Sequence, residues 1–188
     1  MQKQQIEFYI RNAELSDLDS IQKIYQSARD FMKANGNSTQ WGNDRPHKEN
    51  IESNINKKNQ FVCCYKNENG TEEVAGTFLF MHEKEPSYDD LKDGKWPENT
   101  EDYWCIHSVA SGMKVKGVAS FIFSWCENQP GVKCIKIDTH RNNLPMQHLV
   151  EKNGYIYCGH CYYYEDVETD DGIVQDSERI AFCKVLKK

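Results

Sequence analysis

The chain has 188 residues, a net charge of −6, 38% apolar residues and 28% charged ones. That length and balance describe one domain, or one domain with an insertion, able to bury a proper core; they exclude a disordered or membrane-spanning chain. The acidic balance argues against a nucleic-acid binder, which shows a basic face, and suits a cationic substrate such as an amine.

Residues 1–5 lead into Ile6 without a long apolar run, so the sequence reads as lacking a signal peptide. No stretch approaches the ~20 apolar residues of a membrane helix. Of the eight cysteines, most sit inside apolar strand-like runs, where a free thiol behaves as a small hydrophobe. The expectation is a soluble cytoplasmic protein in a reducing compartment.

Phe8 to Asn12 reads as a first strand. Ser16 with Asp19 three residues later has capping-box character. Behind it Leu18, Ile21, Ile24, Tyr25, Ala28, Phe31 and Met32 keep helical spacing, and Gly36 closes the helix. The polar stretch 37–50 contains Gln40 and Trp41, and a tryptophan there is either a cap on the core or a ligand wall. A shorter helix follows on Ile51 and Ile55. Strands at 61–65 and 74–81 are joined through Asn69-Gly70, a hairpin signal. Residues 83–101 are irregular and acidic but carry Tyr88 and Trp96, which argues for an ordered flap on the substrate side.

Tyr103 to Ala110 is a strand that feeds a small-residue loop, and Val118, Phe121, Ile122, Trp125 and Cys126 then form a helical stripe. A helix that starts straight after a glycine loop leaves unpaired N–H groups at its positive end, a place to hold phosphate. Gly117 and Ala119 allow close approach, and Lys114 and Lys116 add charge. The strand 133–139 alternates as a half-exposed strand does, and the single connecting helix implies a right-handed parallel crossover. Asn143 caps a last helix with Pro145 in its first turn, and Asn153-Gly154 ends it. Two strands, 155–165 and 180–186, close the chain.

This order resembles the GCN5-related N-acetyltransferase (GNAT) family from about Phe8 to Leu186. Lys114 to Ala119 is similar to the family's Gln/Arg-x-x-Gly-x-Gly/Ala loop, with Val109 eight residues before the glycine. Asn143, Glu151, Lys152, Gly154 and Tyr155 resemble its Asn…Glu-Lys-x-Gly-Phe segment. Gln40-Trp41, Tyr103 with Ile106-His107, Asp138 with His140 and Asn143, and Arg179 to Ala181 resemble a bacterial subgroup of that family. The resemblance implies an α/β (α+β) fold: a mixed, mostly antiparallel seven-stranded sheet, splayed between strands 4 and 5 and flanked by about four helices. It implies a single N-acetyltransferase domain over 1–188, with 83–101 as a loop insertion.

It further implies acetyl-CoA in the splay and no metal. Val109, Ala110 and Ser111 would meet the pantetheine arm, while Lys114, Val115, Lys116, Gly117, Val118 and Ala119 would take the pyrophosphate. Asn143 would close from the other side, with Lys152 toward the nucleotide. The acyl group would pass directly to a primary amine of a small molecule or peptide, with Gln40, Trp41, Tyr103 and His140 as substrate-side residues. No nucleic acid or membrane partner is implied; a homodimer stays open.

Direct transfer needs a neutral amine, so a base must take its proton. His107, two residues before Val109 and on the same face by period-two alternation, is the candidate base or substrate-positioning residue, against a plain structural role in the sheet. Asp138 and His140 share a face and read as pinning the following loop more than as orienting substrate. The family's usual general acid, a tyrosine before the Glu-Lys pair, is replaced by Val150, and neither His148 nor Tyr155 is an obvious substitute. That replacement motivates an alternative, a CoA-binding protein without catalysis. Cys158 and Cys161 copy a dithiol motif, but their flanks read as strand rather than the helix start that lowers a thiol pKa, so an oxidoreductase is the weaker alternative. The acidic run 166–172 reads as a solvated turn.

Overall fold

A computed structural model describes residues 6–187; the sequence reading of residues 1–5 lies outside the described residues. β1 (Phe8–Asn12) is followed by a 3-10 turn (Leu15–Asp17) and α1 (Leu18–Ala34). α1 buries Ile21, Ile24, Tyr25 and Met32, as its apolar spacing requires. The expected cap at Ser16 is displaced. The carboxylate of Asp17 accepts the Glu14 N–H at 2.8 Å and is held by two Arg11 N–H donors at 2.7 and 2.9 Å. An arginine on the neighbouring strand therefore decides which acidic residue opens the first turn.

α2 (Lys48–Asn56) buries Ile51 and Ile55. β2 (Gln60–Lys66) and β3 (Glu72–Met81) form the expected hairpin. β4 (Trp104–Ser111), α3 (Val118–Glu127) and β5 (Cys134–His140) form the parallel crossover, and α4 (Leu144–Lys152) begins where Asn143 Oδ1 accepts the Met146 N–H at 3.3 Å. β6 (Ile156–Tyr162), β7 (Val167–Thr169), β8 (Gly172–Val174) and β9 (Glu178–Val185) complete the chain. The seven-stranded sheet runs β1-β2-β3-β4-β5-β9-β6, antiparallel except for β4 and β5. Those two pair only at Trp104–Ile135 and Cys105–Lys136 and then diverge, which is the splay.

Three apolar cores hold the sheet. The largest packs α3 and α4 against one face through Phe78, Ile106, Ile122, Phe123, Ile135 and Val150. On the opposite face α1 and α2 bury Ile21, Tyr25, Ile51, Val62 and Cys64 over the first half of the sheet. Over the second half, Tyr88, Tyr103, Cys105, Cys134, Cys158, Cys161, Ala181 and Cys183 form a third core with Leu91, Trp96 and Tyr163 at its rim.

That third core corrects the reading of β5. Both faces of the strand are covered, because 83–101 lies over the face expected to meet solvent. The segment adds its own strand-like bridge, Lys92 to His160 on β6, and its Trp96 indole donates to the Tyr88 carbonyl at 2.8 Å. Lys136, which alternation assigned to solvent, is 4% exposed with Nζ 3.9 Å from the Tyr103 ring centroid and 4.2 Å from that of Trp96. The acidic run 166–172 is likewise more than a turn. It is the β7–β8 hairpin, with Val167 buried and Asp170 paired to Lys33 on α1.

Candidate active site

The splay begins at an irregularity in β4. Ser108 sits at φ +51°, and the register against β3 passes from His107–Leu79 to Ala110–Thr77, so Ser108 and Val109 together oppose Phe78. This is a β-bulge, which bends a strand and re-aims its side chains. Period-two alternation therefore fails across it. His107 faces the third core, 6.2 Å ring to ring from Tyr88, whereas Val109 packs against the α3–α4 core. The expectation that both share a face is overturned by one extra residue.

Beyond β4 the chain enters the loop to α3. Gly117, at φ +91°, is the residue before the helix, a left-handed conformation that side chains disfavour. Gly76 on β3 is needed for a different reason. A Cβ there would lie 2.5 Å from Val118 Cγ1 and 2.9 Å from the Ala110 carbonyl, so its absence lets the start of α3 settle onto the sheet. No acidic residue lies in the first turn of α3. Lys114 and Lys116 are exposed and make no ion pair among the described residues, and Lys152 is exposed in the last turn of α4.

A cavity of about 780 Å³ runs from this helix start, through the splay, to the face covered by 83–101 and the α1–α2 loop. Of the residues singled out for the cofactor, Val109, Ser111, Ala119 and Asn143 line it. Ala110 and Val118 are buried beneath it, and Lys114, Val115, Lys116 and Gly117 form the loop beside it. His107, Gln40 and Trp41 line it as well. Trp41 does both things its position suggested, meeting Tyr25 edge-on at 5.4 Å while walling the cavity. Gln40 Oε1 accepts from Asn143 Nδ2 at 2.8 Å, tying the α4 cap to the α1–α2 loop.

Tyr103 and His140 are not brought to the cavity. Tyr103 is buried in the third core, its hydroxyl accepting the Glu85 N–H at 3.0 Å. His140 is fully buried, with Nδ1 accepting from the Asn142 N–H at 3.1 Å and Nε2 2.9 Å from Asp176. Burial, with Arg179 adding to it, pushes the imidazole pKa down against the pull of Asp176. A neutral ring donating from Nε2 satisfies both contacts. Burial pushes the Asp176 carboxyl up, but the Thr39 hydroxyl at 2.6 Å, His140 and Arg141 outweigh it and hold it below its usual value.

The polar centre of the cavity is Asp138. Its Oδ1 accepts from the Tyr88 hydroxyl at 2.7 Å and the Tyr163 hydroxyl at 3.0 Å, and lies 3.7 Å from His107 Nδ1. Burial, reinforced by Asp138, pushes both phenol pKa values far up, so both remain donors. On the other side of the imidazole, Nε2 is 3.9 Å from Glu85 Oε2 and is a buried nitrogen without a hydrogen-bond partner. An imidazole between two carboxylates, one edge free toward a cavity, can accept a proton and hold the resulting charge.

Cys158 and Cys161 lie buried in β6, and all eight cysteines are free thiols. Val150 is fully buried in the main core, Tyr155 is buried there too, and neither they nor His148 line the cavity. No metal-holding group of three or more His, Cys, Asp or Glu occurs among the described residues, and no helix among them is long and apolar enough to cross a membrane.

No family model matches the sequence, and no curated protein matches it. The solved structures do. A GNAT-family acetyltransferase from Streptococcus agalactiae superimposes with a TM-score of 0.78 at 27% identity, covering 96% of each chain. A Staphylococcus aureus protein described as an acetyltransferase gives 0.66 at 25% identity over 95% of this chain and 99% of that one. The chain has the GNAT fold. A Salmonella typhimurium relative in fold, solved with acetyl-CoA, gives 0.60 at 14% identity over 97% of this chain and 95% of that one.

With that fold it has the splayed sheet, and its cavity has a side-chain wall that sequence reasoning largely missed. Glu85, Tyr163, Glu165, Asp176 and Arg179 all line the cavity. The one available signal was Arg179, in the Arg179-Ile180-Ala181 run at the start of the last strand.

Proposed function

We propose that this protein is an acetyl-CoA-dependent N-acetyltransferase of the GNAT family that passes the acyl group directly to a primary amine. The observation that supports it best is the continuity of one cavity. It joins a helix start that carries no acidic residue and follows a left-handed glycine to an imidazole flanked by carboxylates. Acetyl-CoA supplies an activated thioester when bound. The main chain from Lys114 to Ala119 and the positive end of α3 bind its phosphates, with Lys114, Lys116 and Lys152 adding charge. Val109, Ala110, Ser111 and Asn143 border the slot for the pantetheine arm. The bulge at Ser108 turns backbone N–H groups near Val109 toward the acyl oxygen, where negative charge develops.

His107 takes the proton from the acceptor ammonium. The positive charge then sits 3.7 Å from Asp138 and 3.9 Å from Glu85. Gln40 and Trp41 help shape the acceptor side. Among the residues considered for general acid, Val150 has no donor and Tyr155 and His148 lie off the cavity. The thiolate of CoA therefore leaves on its own acidity, with a thiol pKa of ~8.5.

Calorimetry with acetyl-CoA, followed by CoA release in the presence of primary amines, tests this reading. Binding followed by amine-dependent release supports it. Binding without release across a broad amine panel would instead favour a non-catalytic CoA-binding protein, and absence of binding would refute both.

A further inference from the structure

The acceptor wall contains a cation that the protein leaves uncompensated. Arg179, at the start of β9, is 9% exposed and lines the cavity. Its Nη1 donates to the Asp176 carbonyl at 2.8 Å and the Glu178 carbonyl at 2.9 Å; Nε and Nη2 have no hydrogen-bond partner among the described residues. Among the described residues no carboxylate lies within ion-pair distance of it. A guanidinium buried to that extent without an anion is costly unless a ligand brings one. The cavity's other arginine, Arg45, is already engaged by Glu165 and the Asp166 carbonyl.

Arg179 is also fixed relative to the proton-accepting centre. On β9 it pairs with His140 of β5, while Ala181, two residues on, pairs with Asp138. Arg179 and Asp138 are therefore diagonal neighbours on one face of the sheet, about 7–8 Å apart in the backbone. Tyr163 spans them: its ring is 5.7 Å from the Arg179 guanidinium carbon, and its hydroxyl donates to Asp138. One wall of the cavity thus has a positive pole at Arg179 and a negative pole at Asp138, with Glu85 beyond His107.

We propose that the acceptor is a free amino acid, its α-carboxylate held by the unused Nε and Nη2 of Arg179 and its α-amine directed at His107. The fork of an arginine matches a carboxylate with two parallel hydrogen bonds. One unpaired guanidinium, with the Asp176 and Glu165 carboxylates also on the wall, favours a singly charged anion over a phosphate. The inference rests on the N-acetyltransferase reading and narrows its substrate. In the reaction His107 takes one proton from the ammonium, the amine nitrogen bonds to the acyl carbon, the carbon–sulfur bond breaks with its electron pair going to the CoA thiolate, and the second proton that nitrogen releases as the amide forms neutralises that thiolate.

The test is acetyl transfer to the twenty L-amino acids, each beside its carboxamide, its decarboxylated amine and a dipeptide carrying it at the amino terminus. At least one amino acid should be acetylated with kcat/KM roughly 100-fold or more above its three counterparts. Arg179→Gln should remove that preference, bringing acid and carboxamide together, and Arg179→Lys should restore part of it. Because Arg179 also ties down the 176–178 turn, melting temperature and acetyl-CoA affinity are measured for both variants. If the wild type acetylates carboxamides, amines or dipeptides as well as amino acids, the inference falls and the acetyltransferase reading stands. Failure to bind acetyl-CoA overturns both. Preference retained in a folded Arg179→Gln variant overturns the role of Arg179.

Discussion

The two walls of the cavity are made of different material. The wall toward α3 is built from backbone: a bulge, a left-handed glycine and the start of a helix within the eleven residues 108–118. The acceptor wall is built from side chains, Trp41, Glu85, Asp138, Tyr163 and Arg179, drawn from segments far apart in the chain. A backbone wall requires small residues at fixed spacing and so leaves a local trace in the sequence. A side-chain wall is defined only once the chain has folded, and it can change its chemistry without disturbing the first.

That difference can be broken experimentally in order of effect. Gly117→Trp should abolish acetyl-CoA binding, by roughly 100-fold or more in Kd on a calorimeter. It forces a large side chain into a left-handed position beside the loop, and unchanged affinity would show that the backbone wall does not hold the nucleotide. His107→Ala should leave that affinity within about twofold while lowering kcat by roughly 10²–10³ at neutral pH. A pH–rate profile identical to wild type would remove it as the base.

On the side-chain wall, Asp176→Asn should cost about 1–3 kcal/mol of stability at neutral pH, because Thr39, His140 and Arg141 lose a charged partner. The acid limb of wild-type stability should then have two stages. His140 has a folded pKa below its ordinary 6.5, so the unfolded chain binds the extra proton first and stability falls as pH drops through that value. Asp176, held below 3.8, contributes stability that is present above that value and lost below it. Melting curves that lose only the second stage in Asp176→Asn, keeping the first, would fit; a flat acid limb in wild type would not. The smallest effect is expected from Lys152→Ala, about threefold or less in acetyl-CoA affinity, since the lysine is exposed and screened.

Legibility in the sequence followed the same division. The order of strands and helices, the Asn143 cap and the glycine before α3 are local signals, and each appears where the residues placed it. The bulge at Ser108 left no trace, because serine lacks the glycine or asparagine signature of a positive φ and the extra residue is specified by pairing with β3. The double burial of β5 was hidden for a related reason. Its outer face carries Lys136, which reads as solvent-facing until Trp96 and Tyr103 arrive from outside the strand. Arg11 displaced a cap by the same kind of long-range contact. That no family model matches while the fold superimposes on solved structures fits this pattern. The backbone wall needs few identities, and the rest of the chain is free to drift.

The third core holds five of the eight thiols, Cys105, Cys134, Cys158, Cys161 and Cys183, none of them in a disulfide. They lie beneath the 83–101 segment, so a thiol reagent reaches them only after that cover lifts. Their alkylation rate is thus a clock for the opening of the acceptor side, readable by mass spectrometry without any engineered label. A ligand bridging Arg179 and His107 should slow it.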